Sequence, residues 1–125
     1  MRACIRRGAS QIGGNLIELE AEGSRLVLDA GLPLELEGAP PRDLLPDVPG
    51  LWADSDGSLL ALLISHAHPD HYGLADLVAP SVPIFIGEHA AAILNEAVFF
   101  VPGVRPFPLA GHLRHREPLS FGHPP

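Results

Sequence analysis

An α/β (α+β) fold, a mixed sheet with helices packed on it, is what the sequence predicts, and three observations carry that expectation. Short apolar segments open the chain as a meander, later ones alternate with helical periodicity, and the composition is that of one globular unit. Residues 3–6, 15–21 and 25–29 read as three short strands, the last two joined as a hairpin by the tight turn Glu22-Gly23-Ser24. Leu26-Val27-Leu28 is apolar on both faces, so the third strand should be central and buried. Residues 33–57 hold five prolines and no sustained periodicity, which predicts a long irregular loop. Residues 59–65 form an apolar run too short for an independent helix and read as a further buried strand. Leu74, Leu77 and Val78 then recur at helical spacing until Pro80 stops them. Residues 82–86 are another strand, and 88–99 place Ala90, Ile93, Leu94, Ala97 and Val98 on one side of an amphipathic helix with Glu88 in its first turn. Beyond Pro102 the pattern weakens, and a last strand is expected over 118–122.

Composition narrows the chemistry. The 125 residues carry 8 basic and 15 acidic side chains for a net charge of −7, with 46% hydrophobic residues. A chain of this length buries roughly two-thirds of its unfolded surface without needing disulfides. All the basic residues are arginine, which removes lysine Schiff-base chemistry and the phosphate-loop NTPases. The charge argues against holding nucleic acid by phosphate neutralisation alone. The proline-rich loop at 33–57 holds six acidic residues and only Arg42, and so accounts for −5 of the total −7. Cys4 is the single cysteine, which rules out an intramolecular disulfide and a cysteine zinc site and fits the cytoplasm. The opening MRACIRRGAS has no apolar core and no window approaches 18 uninterrupted apolar residues, so secretion and membrane spanning are disfavoured.

The histidines concentrate the chemistry that remains. The strand at 59–65 runs into His66-Ala67-His68-Pro69-Asp70-His71, four metal-ligand types within six residues. Residues i and i+2 of an extended segment point the same way, so His66 and His68 can share one metal, and a turn after Pro69 brings Asp70 and His71 round to a second. Shuffling this composition yields the pattern about once in a thousand sequences. The glycines Gly8, Gly13 and Gly14 lack the spacing of a phosphate cradle and read as a tight loop. Ser65 has no G-x-S-x-G around it, so it is not expected to be a nucleophile. His89 reads as a solvated first-turn residue, and His112, His115 and His123 fall in the weakly patterned end of the chain.

The motif, with Arg7 to Asn15 (RGASQIGGN) and Leu26-Val27-Leu28-Asp29-Ala30-Gly31, resembles the metallo-β-lactamase superfamily, most of all its ribonuclease J and β-CASP branch. That branch carries a glutamate where this chain has Gln11. The resemblance implies an αββα sandwich of which residues 1–125 are the N-terminal part. It implies two divalent ions, zinc or alternatively manganese, bound by His66 and His68 and by Asp70 and His71, with catalysis resting on Asp70 and His71. Asp29 would steady the ligand loop. A water shared by the metals and activated as hydroxide would attack a phosphodiester, RNA above all, in the full-length parent.

Two metals need about eight ligands and the motif supplies four, so this chain alone is expected to be nearly inactive. A thioester, a lactone or a small phosphodiester is the alternative substrate for a hydrolase of the same superfamily. A non-catalytic metal-binding or oligomerising module is the alternative outside enzymes. The uncovered sheet face of a half-sandwich suggests a homo-oligomer; no membrane partner is expected.

Overall fold

The computed structural model describes residues 1–9, 13–33 and 40–121. The hairpin forms where turn chemistry demands it. Glu22 and Gly23 take positive φ of 51° and 80°, as a two-residue turn matched to strand twist requires. They join β2 (Leu16–Ala21) to β3 (Ser24–Leu28), with Ala21 opposite Ser24. β1 (Arg2–Arg7) pairs antiparallel with β2. β4 (Leu59–Ile64), β5 (Ile84–Gly87) and β6 (Gly111–Leu113) then add in parallel beyond β3. Among the described residues the sheet runs β1-β2-β3-β4-β5-β6, which leaves β3 and β4 at its centre.

Register separates two faces. Cross-strand partners share a face, which places Leu16, Val27, Leu62, Ile64, Ile84 and Ile86 together, all buried. They build the core with Val48 and Leu51 of the loop, Leu74, Ala75 and Ala79, and Ala91 and Leu94 of α2 (Glu88–Phe100). Glu18 lies on the same face, 7% exposed, between Arg6 and Arg25 at 3.1 Å from each. The opposite face carries Ile5, Ile17, Leu28, Leu63 and Phe85 in one row, of which Ile5 is exposed and the rest half-buried.

Several elements depart from the sequence expectation. The helix expected around Leu74, Leu77 and Val78 is instead a short α1 (Pro69–Tyr72) followed by a 3-10 turn at Ala75–Leu77. Pro69 opens α1, Gly73 closes it, and Leu74 is buried with Leu77 and Val78 half-buried against the core, without continuous helix. β5 begins at Ile84 rather than 82, because Pro83 has no N–H and contributes only its carbonyl, to Leu62 N–H at 2.9 Å. In α2 the buried stripe is Ala91 and Leu94, while Ile93, expected inside, is 60% exposed. The helix docks through the small Ala91, which turns Ile93 outward. α2 ends at Phe100 because Val101, preceding Pro102, is extended.

Among the described residues the last strand is at Gly111–Leu113, where the sequence pointed to 118–122. Residues 118–121 are irregular, with Phe121 packed edge-on to Phe85, and Gly122 lies outside the described residues. Gly111 is admitted there for want of a side chain, since a Cβ would meet the Phe85 ring at 3.0 Å. The loop at 33–57 forms a 3-10 turn at Pro41–Leu44 and is otherwise irregular in its described part, but it is not loose: Trp52 Nε1–H donates to Pro46 O at 2.8 Å, and Ala79 N–H to Leu51 O at 2.8 Å. Residues 34–39 of it, and Gln11, lie outside the described residues. No described helix is long and apolar enough to cross a membrane.

Candidate metal centre

Parallel strands β3 and β4 deliver the chemistry at their C-terminal ends, where an open α/β sheet leaves a crevice. Asp29 follows β3 with a φ of 64°, a left-handed conformation that aspartate tolerates better than most residues. The kink turns its carboxylate across to the end of β4. There Oδ1 accepts Ser65 N–H at 2.7 Å, and Oδ2 accepts Ser65 Oγ–H at 2.9 Å and His71 Nδ1 at 2.7 Å. The last bond needs the proton on Nδ1, so the lone pair of the neutral ring is on Nε2, which lies 3.3 Å from Asp70 Oδ2. Ser65 Oγ, having donated to Asp29, can accept from His66 Nδ1 at 3.1 Å. Both imidazoles thus have Nδ1 engaged from behind.

Main-chain bonds fix the turn against β3. Ala30 N–H donates to His71 O at 2.9 Å, Leu32 N–H to Pro69 O at 2.9 Å, and Asn15 N–H to Asp70 O at 3.3 Å. The approach is closest at Gly31, where a Cβ would lie 1.9 Å from Asp70 O. Within α1, His68 O accepts from His71 N–H at 2.8 Å and Tyr72 N–H at 3.1 Å, so one helical turn carries Asp70 and His71 back under His66.

The donor atoms of His66, Asp70 and His71 lie within 4.8 Å of one another. The His66 and His71 rings are 3.8 Å apart between centroids. His68 is exposed and stands edge-on to His66 at 4.8 Å, outside that group of three. The structure therefore gathers His66 with Asp70 and His71, where the spacing suggested His66 with His68 and Asp70 with His71. Pro69 holds His68 extended, at φ −115° and ψ 143°, and the helical turn begins one residue later. His89, His112 and His115 are exposed and join no such group among the described residues, and His123 lies outside them.

Two imidazole nitrogens and a carboxylate oxygen, with Nδ1 of each ring held from outside, are the donors a divalent ion such as zinc takes, so the residues present fit the metal. A cavity of about 420 Å³ adjoins the same turn, lined by Pro69, Tyr72 and Gly73 and by Arg42 and Arg105. The Arg105 charge is answered by Asp76 at 3.6 Å. Burial raises the Tyr72 phenol above its ordinary pKa. Sequence reasoning did not find the Ser65 bridge or the Gly31 contact. Serine beside histidine signals nothing by itself, and Gly31 is legible only as part of Asp29-Ala30-Gly31.

Sequence and structure comparisons identify related proteins. The model of the Metallo-beta-lactamase superfamily matches residues 11–118. Ribonuclease J of Helicobacter pylori (strain 26695) is 39% identical over 67 residues, which are 53% of this chain and 10% of that protein. Ribonuclease J of Mycolicibacterium smegmatis is 30% identical over 100 residues, 77% of this chain and 18% of that protein. The crystal structure of a protein of unknown function from Enterococcus faecalis V583 superposes with a TM-score of 0.71 at 19% identity, covering 96% of this chain and 35% of that one. The chain spans less than a fifth of the length of these two ribonuclease J relatives.

Proposed function

The chain belongs to the metallo-β-lactamase superfamily, and from that membership we propose that it supplies the metal-binding turn of a hydrolase of phosphodiesters, with RNA as the substrate. The observation that carries this reading is the group His66, Asp70 and His71 with Asp29 bonded to Nδ1 of His71. When bound, divalent ions, zinc or alternatively manganese and two in the full site, supply Lewis acidity and an activated water. The chain's own part is to present donors in fixed orientation. Asp70 and His71, the residues proposed as catalytic, come from one turn of α1, and His66 comes from the end of β4. His68, exposed beside His66, is the fourth proposed donor. Asp29 keeps the His71 proton on Nδ1 and so keeps Nε2 free to ligate.

The similarity to two ribonuclease J proteins supports RNA as the substrate. Their greater length supports reading residues 1–125 as the N-terminal part of a metallo-β-lactamase-fold domain, one layer of an αββα sandwich. The half-buried apolar row on the outer sheet face agrees with that. An exposed free thiol at Cys4 supports a reducing, cytoplasmic setting.

The test uses the protein that carries this chain, supplied with zinc or manganese. Its substrates are labelled single-stranded RNA, a chromogenic phosphodiester, a thioester and a lactone. RNA cleavage that falls by two orders of magnitude or more in Asp70→Ala and His71→Ala is the expected result. Turnover of the thioester or lactone alone would move the chain to another substrate class. Metal uptake with no turnover of any of them would make it a binding module.

A further inference from the structure

The side chain that closes β1 reaches the metal turn without touching a ligand. Arg7 is half-buried, and its described hydrogen bonds all go to main-chain carbonyls. Nε donates to Gly14 O at 3.0 Å, Nη2 to Gly31 O at 2.9 Å, and Nη1 to Leu44 O. These carbonyls come from three separate segments: the loop before β2, the segment after β3, and the 3-10 turn of the proline-rich loop.

Two of the segments bear directly on the turn. Gly31 abuts the main chain of Asp70 so closely that no Cβ fits, and its neighbours Ala30 and Leu32 donate to His71 O and Pro69 O. Gly14 adjoins Asn15, whose N–H donates to Asp70 O and whose carbonyl accepts Gly31 N–H at 3.0 Å. Gly14 N–H also donates to Leu32 O at 3.1 Å, closing a ring of main-chain bonds beneath α1. One planar guanidinium spans that ring because its donors form a rigid fork, which a lysine ammonium does not reproduce. Partial burial lowers the Arg7 pKa from its ordinary value, and the three carbonyls replace part of the water its charge gives up.

We infer that Arg7 is a positioning residue for the candidate metal turn: by tying Gly14, Gly31 and Leu44 together it sets where the main chain holds Asp70 and His71. The inference rests on the metal reading above. It extends that reading to a side chain on the opposite edge of the sheet from β6 that binds no ion itself.

Arg7→Met removes every donor while keeping most of the stem. Cobalt(II) is the probe, titrated by its visible absorption, and amide hydrogen exchange is read in parallel without metal. Outer residues that orient metal ligands typically alter affinity by about 10- to 100-fold. Arg7→Met is expected to weaken cobalt binding about tenfold. It is also expected to speed exchange at Asn15, Ala30 and Leu32 about tenfold more than at Leu62 in β4. Arg25→Met is the control, because Arg25 bonds Glu18, Ser58 and Pro49 and does not reach the turn. It should leave cobalt affinity unchanged at a comparable loss of stability. Arg7→Lys should recover part of the affinity, and takes the place of Arg7→Met if that variant does not fold.

Native cobalt affinity in the Arg7 variants, or a loss matched by Arg25→Met, would overturn the inference. If the unmodified protein takes up no cobalt, the metal reading fails. The exchange measurement then decides on Arg7 alone, with uniform exchange across the turn and β4 counting against it.

Discussion

Replacing Asp29 by Asn keeps the size of the side chain and tests whether the His71 proton matters. The carboxylate accepts three hydrogen bonds, from Ser65 N–H, Ser65 Oγ–H and His71 Nδ1. An amide has one oxygen, and Ser65 N–H, which is always a donor, takes it. The NH2 group then occupies the place of Oδ2. Ser65 Oγ can turn to accept from it, but His71 Nδ1 can accept only by giving up its proton, which moves to Nε2. That tautomer is favoured by about one neutral hydrogen bond, about 1–1.5 kcal/mol, which is about tenfold in equilibrium. Losing the charge on Asp29 also makes His71 a poorer ligand, so zinc affinity should fall between about tenfold and a hundredfold. Folding should suffer less, by about 1–2 kcal/mol, because water can reach the turn and replace part of what is lost. The assay pairs zinc titration against a chromogenic chelator with urea unfolding, and nitrogen NMR of His71 reads the tautomer. Zinc affinity within threefold of the unmodified protein, with the proton shown to have moved to Nε2, would refute the claim that His71 ligates through that atom.

Gly31→Ala puts a Cβ 1.9 Å from Asp70 O. Main chain cannot swing aside as a side chain would, so urea unfolding should show a loss of about 2–3 kcal/mol, and a change under 0.5 kcal/mol would deny the close approach. Tyr72 is the only tyrosine, so absorbance near 295 nm follows it alone. Burial raises its pKa, so the folded chain keeps a proton that the unfolded chain releases near pH 10. Its share of stability is therefore complete below pH 10 and declines as pH rises through the folded value, and a midpoint at or below 10 with native circular dichroism would contradict this burial. The apolar row Ile5, Ile17, Leu28, Leu63 and Phe85 should make residues 1–125 self-associate in a dilution series by light scattering, with Leu63→Lys shifting the equilibrium toward monomer. A compact monomer throughout the micromolar range would show that this face needs no cover.

The sheet was legible where local chemistry and long-range packing agree. Glu22-Gly23 demands a hairpin wherever it is placed, and Leu26-Val27-Leu28, apolar on both sides, has no stable position except a central one. Legibility failed where tertiary contacts decide. Ile93 has the right spacing for the core, but which side of α2 docks depends on how near Ala91 lets the helix come. Gly111-His112-Leu113 has no strand pattern, because a three-residue edge strand takes its order from the β5 backbone and from the room beside Phe85. The 3-10 turn at Ala75–Leu77 shows the same limit, since burying Leu74 and Ala75 does not require continuous helix.

The metal turn divides along another line. Ligands must be particular residue types, and here the chain keeps candidates within six positions, so His66, His68, Asp70 and His71 could be proposed before any geometry was known. How they group was not legible, because alternation of an extended chain holds only as far as Pro69 and a helical turn governs afterwards. The groups that hold the ligands are chosen for reach. Asp29 acts from 42 positions before His71, and Arg7 acts from 24 before Gly31, through main-chain carbonyls that every residue possesses. A carbonyl acceptor leaves no mark in a sequence, so the support of a metal site is harder to read than its donors. Substitutions at Asp29 and Arg7 are therefore the sharper tests of this structure: His66→Ala removes a donor whatever the surrounding fold, whereas Asp29→Asn and Arg7→Met weaken metal only if the described contacts exist.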